Sequence, residues 1–233
     1  MKILGVESSA TAASAAIYND GKIIAQTFSN TGLTHSQTLL PMVDATLKMA
    51  NLSLSDIDYI AVSNGPGSFT GVRIGVSLVK GLAQPSGMKC IEVSTLEAIA
   101  KPLENTGCYA VSVMDARCNQ VYTAQFGCEN GFQRVTEDEA ITIDELGERL
   151  KDIKQPIVLI GDGTNVAYKK LKDVIENVRV SAPSVRYQSA SSVCLIAAEK
   201  IEGGSCGETA HDILPNYLRL SQAERELKKK NML

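Results

Sequence analysis

The chain runs twice through the same succession of elements, and few folds permit that. In the first half, residues 3–8 form an apolar run ending in Glu7-Ser8; runs at 12–18 and 22–29 follow, separated by Asn19-Asp20-Gly21. Asp and Gly tolerate the positive φ of hairpin turns, so three antiparallel strands open the chain. Over 35–50 the period becomes helical. Leu39, Val43, Leu47 and Ala50 share a face, Thr34, Ser36 or Thr38 can cap, and Pro41 belongs in the first turn or at a kink. A strand at 56–63, a glycine-rich loop at 65–71, a helix to about 84, a strand at 89–93 and a helix at 95–103 complete the half.

Near residue 106 the pattern restarts. Strands are expected at 109–115, 120–126 and 132–136, a helix at 143–151, and a strand at 156–160. Gly161-Asp162-Gly163-Thr164, a helix to about 172 and another at 189–201 follow. Each half begins with a strand ending in a carboxylate, Glu7 or Asp115. The expectation is an α/β protein of duplicated β-β-β-α-β-α units: one lobe over 1–106, a smaller one over 107–211, and a closing segment over 212–233 placed to pack back on the first.

Composition removes several classes. The 233 residues are 44% hydrophobic and 21% charged, with a net charge of −3 and no basic half, which disfavours a stand-alone nucleic-acid binder. Glu7 interrupts the amino-terminal apolar run too early for a signal core, and no stretch is apolar enough to span a bilayer, so a cytoplasmic protein is expected. Six cysteines without a CxxC pair read as free thiols in a reducing compartment. His35 and His211, the only histidines, are too few and too far apart for a zinc site; His35 reads as a surface or capping residue.

The segment GPGSFTGVRIGVSLVKGLA, residues 65–83, follows a strand and opens a helix, the place where backbone amides can hold an anion. It is not a Walker loop, because Thr70 and Gly71 stand where Gly and Lys are required. Gly71 also falls one place late for the dinucleotide pattern, which only Glu92 at the next strand end supports. Gly65, Pro66, Gly67, Ser68, Phe69, Thr70 and Gly71 therefore read as an architectural turn. The helix after it has only Arg73, Ser77 and Lys80 as polar residues, and Gly71 and Gly75 leave a shallow track along it. A lobe of this size covers one face of each helix with its sheet. Leu39, Leu40, Val43, Leu47, Gly71, Arg73, Gly75, Val79 and Leu82 are thus expected to meet a partner chain in a four-helix contact, or a second copy of this chain when the partner is absent.

ILGVESSATAASAAIYNDGKII, HSQTLLPMVDATL, the 65–83 segment, VSTLEAIA and VMDARCNQVYTAQF together resemble the bacterial TsaB (YeaZ) family, which takes part in making threonylcarbamoyladenosine in tRNA. GDGTNVAYKKL and PNYLRL extend the likeness into the second half. The resemblance implies a two-lobed actin-like ATPase (ribonuclease H-like) fold and an accessory role. Its implied partners are a homologous catalytic TsaD-like subunit and a TsaE-like ATPase, with tRNA engaged only through the complex.

Catalytic relatives carry a His-x-x-x-His metal motif where this chain has Val93-Ser94-Thr95-Leu96-Glu97-Ala98, with no histidine. Ser94 and Glu97 read there as a capping box, and no metal or other cofactor is expected. The acidic turns at Glu7 and Asp115 lack the glycines that let backbone approach a phosphate, so both read as vestigial, with carboxylates facing solvent; Asp162 would repel a phosphate. A small actin-like ATPase or kinase, a metallopeptidase-type enzyme and a dinucleotide-binding domain are the competing readings. The Lys228–Lys230 run reads as a solvated tail.

Overall fold

The computed structural model describes residues 1–219; the Lys228–Lys230 run and most of the closing segment lie outside the described residues. The first sheet contains β1 (Lys2–Glu7), β2 (Ala13–Asn19), β3 (Lys22–Ser29), β4 (Tyr59–Gly65) and β5 (Lys89–Ser94) in the order β3-β2-β1-β4-β5. β2 is antiparallel to both β1 and β3, whereas β4 and β5 are parallel to β1. Asp20 and Gly21 take φ of 44° and 86°, so the hairpin turn uses the two residues that tolerate it.

The second sheet repeats the plan. It is built from β6 (Tyr109–Asp115), β7 (Gln120–Gly127), β8 (Gln133–Arg134), β9 (Glu139–Thr142), β10 (Ile157–Ile160) and β11 (Val178–Val180). Its order is β11-β10-β6-β7-β8, with β9 also pairing with β7. Of the third strand expected at 132–136 only the two-residue β8 forms; β9, which lies beyond that range, also pairs with β7, and β11 has no counterpart among the expected strands. Two lobes of one topology form the actin-like ATPase plan.

Alternation along the strands sends side chains to two cores per sheet. Leu4, Val6, Ile60 and Val62 meet helices α1 (His35–Met49) and α2 (Phe69–Ala83) on one face of the first sheet. Val111, Val113 and Leu159 meet α4 (Ile143–Leu150) and α5 (Thr164–Leu171) on the matching face of the second. The remaining helices cross between lobes. Helix α3 (Thr95–Ala100) follows β5 but packs Leu96 and Ile99 on Ala110, Ala124 and Phe126 of the second sheet. Helix α6 (Ala190–Glu202) follows the second lobe but packs Val193, Cys194 and Ala197 on Ile3, Ala16 and Ala61 of the first. Gly5 permits this, since a Cβ there would stand 2.5 Å from Cys194 Sγ and 2.6 Å from the Ala190 carbonyl. Among the described residues, no helix is long and apolar enough to cross a membrane.

Candidate interaction surface and signature loop

The loop between β4 and α2 is built against its own chain on both sides. Ser68 caps α2, accepting from the Gly71 amide at 3.3 Å, while its own amide donates to the Ser9 carbonyl at 2.7 Å. Added Cβ atoms on Gly67 and Gly71 would stand 2.3 Å and 2.1 Å from the carbonyl oxygens of Ser9 and Ser8. The helix start is therefore clasped by the β1–β2 turn, and the amides of Ser68, Gly71 and Val72 are engaged within the chain. On the loop's other side lies the segment at 211–217. Gly65, at φ 123°, lets the Asn216 carbonyl approach to 2.3 Å of where a Cβ would be, and the Asn216 amide donates to the Asn64 carbonyl at 2.7 Å. Phe69 stacks on Tyr217 with centroids 4.6 Å apart, and Arg73 Nε donates to the Tyr217 hydroxyl at 2.6 Å.

This geometry corrects part of the expected partner surface. Gly71 and Gly75 leave no open track, because Ser8 fills it; a Cβ on Gly75 would stand 2.6 Å from Ser8 Oγ. Val79, Leu39 and Val43 are buried in the first lobe's own core. Leu40 is 51% exposed, Arg73 is exposed, and Leu47 and Leu82 are half-buried. A stripe the sequence reading did not single out, Ile74 and Leu78 with Leu82, runs at i, i+4, i+8 along the half-buried flank of α2. The signal of that stripe is the four-residue repeat itself, which an almost uniformly apolar helix conceals. On α1, Leu40 and Met49 are exposed, as is Leu33 just before it.

The acidic turns differ from one another. Glu7 does not face solvent: it is wholly buried and accepts from the amide and hydroxyl of Ser9 at 2.6 and 2.5 Å and from the Ser63 hydroxyl. Burial pushes its carboxyl above the usual range, opposed by those hydrogen bonds and, more weakly, by His35. His35, half-buried at the first turn of α1, hydrogen-bonds through Nε2 to the Ala10 carbonyl at 2.6 Å. Asp115 is exposed and accepts from the Arg117 amide at 2.7 Å. Asp162 lies in a turn closed by Gly161 and Gly163, whose added Cβ atoms would meet Val113 O at 2.2 Å and Asp115 N at 2.9 Å. Burial lifts the Asp162 carboxyl to about 6; backbone amides, first that of Asp115, oppose the rise, and the Asp115 charge adds to it.

The residues behind the dinucleotide and metal readings have partners within the chain. Glu92, the one support for a dinucleotide site, accepts from the Leu214 amide at 2.6 Å. Ser94 caps α3, accepting from the Glu97 amide at 3.3 Å, and the Glu97 carboxylate turns to Arg134 at 3.4 Å. No group of three or more His, Cys, Asp or Glu side chains is placed to hold a metal among the described residues.

Residues 29–227 match the family described as TsaD: tRNA N6-adenosine threonylcarbamoyltransferase. The chain is 37% identical over 167 residues to the tRNA threonylcarbamoyladenosine biosynthesis protein TsaB of Escherichia coli (strain K12), covering 70% of this chain and 72% of that one. The TsaB of Bacillus subtilis (strain 168) is 28% identical over 225 residues, 96% of each chain. Among solved structures, YeaZ from Pseudomonas aeruginosa superposes with a TM-score of 0.77 at 26% identity, covering 93% of this chain and 99% of that one.

Proposed function

The chain belongs to the TsaB (YeaZ) family of tRNA threonylcarbamoyladenosine biosynthesis proteins, and from that premise we propose that it is a non-catalytic subunit docking on a homologous TsaD-like catalytic partner. The observation that carries the proposal is the apolar side chains of α1 and α2 that the chain's own sheet covers only in part: Leu40 and Met49 are exposed, and Ile74, Leu78 and Leu82 are half-buried. The absence of a histidine pair from 93–98 supports the non-catalytic part. A partner of the same fold can present an equivalent helix pair, giving a four-helix contact. The same surface serves a homodimer of this chain alone. A TsaE-like ATPase joins the assembled pair, and tRNA is engaged only through the complex, in keeping with this chain's lack of a basic excess.

Co-expression with the TsaD-like protein of the same genome tests this reading. The two chains are expected to co-purify in fixed ratio, and modified nucleoside is expected only when both are supplied with the ATPase, tRNA and the threonylcarbamoyl donor. Threonylcarbamoyl transfer by this chain alone, or failure of the two chains to associate, would overturn it.

A further inference from the structure

Eight residues after the chain leaves α3 it enters the second sheet through a bulge, and two cysteines meet there. Cys108 stands one residue before β6 and Cys128 one residue after β7. The Cys128 amide donates to the Cys108 carbonyl at 3.0 Å, and the Gly107 amide, at φ 76°, donates to the Cys128 carbonyl at 2.9 Å. Gly107 and Cys108 together thus oppose Cys128. Both side chains enter the core between α3 and the second sheet, beside Ala110 and Phe126. Opposed residues of antiparallel strands lie about 4.5–5.5 Å apart at Cα, within the roughly 4.4–6.8 Å that a disulfide spans.

We propose that Cys108 and Cys128 are a redox modification site, a thiol pair that a peroxide converts to a cross-strand disulfide at the junction of the two lobes. Their roles differ. The Cys128 thiol hydrogen-bonds to Cys108 and lowers its pKa, with the Thr106 hydroxyl, 3.2 Å from the Cys108 sulfur, acting in the same direction against burial. The same contact, together with burial, raises Cys128. Cys108 is 6% exposed and Cys128 wholly buried, so Cys108 is attacked first. Its thiolate attacks one peroxide oxygen, the O–O bond breaks, and the departing hydroxide takes a proton to leave as water. The Cys128 sulfur then gives up its proton, attacks the sulfenic sulfur of Cys108 and expels a second water. Two thiols are oxidised and one hydrogen peroxide is reduced to two waters. Among the described residues the other buried cysteines have no such thiol partner: burial first, with the Glu92 charge adding to it against Lys80, lifts Cys90 to about 11, and burial lifts Cys194 to about 12.

Cys118 and Cys206 are exposed and would react first, so the test uses the full chain carrying Cys118→Ser and Cys206→Ser. After mild hydrogen peroxide, alkylation in denaturant is expected to find two fewer free thiols and the mass to fall by about 2 Da. Non-reducing tryptic digestion should link the peptide spanning 90–117 to that spanning 118–134, and dithiothreitol should restore both. Cys108→Ser should abolish the link and Cys90→Ser should not; Cys128→Ala should abolish it too, and if that variant misfolds, site mapping in the parent decides. An unchanged thiol count, Cys108 sulfinic acid without a link, or a link surviving Cys108→Ser would overturn the proposal.

Discussion

Gly71 lies so close to Ser8 that a Cβ on it would stand 2.1 Å from the Ser8 carbonyl oxygen. The obstructing atom is backbone, and Ser8 is pinned by its own hydroxyl, which donates to the Gly71 carbonyl at 2.9 Å. Gly71→Ala is therefore expected to destabilise by at least about 2 kcal/mol, despite alanine's better helix propensity. Gly81, ten residues along the same helix, has nothing within 4 Å of an added Cβ, and Gly81→Ala is expected to stabilise by about 0.5–1 kcal/mol. Urea denaturation of both variants checks the signs; a neutral Gly71→Ala would mean that the β1–β2 turn does not clasp this helix.

Asp162 gives the second lobe a pH dependence. Its carboxyl rises from 3.8 to about 6 on folding, so the folded state holds a proton that the unfolded chain has released. That contribution is complete below about pH 4 and is lost as pH rises through about 6. Asp162→Asn cannot ionise, and its stability relative to wild type is expected to improve by about 1–3 kcal/mol between those limits and then level off. Melting curves of the two proteins across this range check it; a constant difference would show that the carboxyl titrates normally.

Much of this architecture is legible in the sequence, because hairpin turns and strand periodicity are local properties. Asn19-Asp20-Gly21 and the two carboxylate-ended strands were enough for the duplicated plan. Strand β11, only three residues long, gave no periodicity; its place depends on pairing with β10. Helix periodicity reports which residues are apolar and not what covers them. That is why Gly71, Gly75 and Val79 read as a partner's track when the covering groups are Ser8 and the first lobe's core. The burial of Glu7 was hidden for the same reason: Ser63, which donates to it, is 56 residues away in sequence.

The contact between Tyr217 and α2 makes a third test. Tyr217→Ala removes the stack on Phe69 and the bond from Arg73, and is expected to cost about 1–2 kcal/mol. Amide exchange at Asn216, whose N–H is held by the Asn64 carbonyl, should accelerate, whereas Tyr217→Phe should leave it nearly protected. Equal exchange in all three proteins would mean that the aromatic stack does not hold this segment.

Ligand chemistry makes a fourth. With the Glu97 carboxylate turned to Arg134, and the helix-start amides of Ser68, Gly71 and Val72 engaged within the chain, the isolated protein is expected to carry no stoichiometric transition metal and to show no micromolar ATP binding. Elemental analysis and titration calorimetry check both; one metal per chain, or saturable ATP binding, would contradict the accessory role.

The affinity of the TsaD-like partner for surface variants of α1 and α2 tests the proposed docking most directly. Leu40→Arg and Leu82→Arg place a charge on the outward flank, whereas Val79→Arg would place one in the core and report only on folding. Titration calorimetry with folded Leu40→Arg or Leu82→Arg is expected to show binding weakened by at least about tenfold, equivalent to about 1.4 kcal/mol. Wild-type affinity in both variants, with circular dichroism unchanged, would place the partner elsewhere on the molecule.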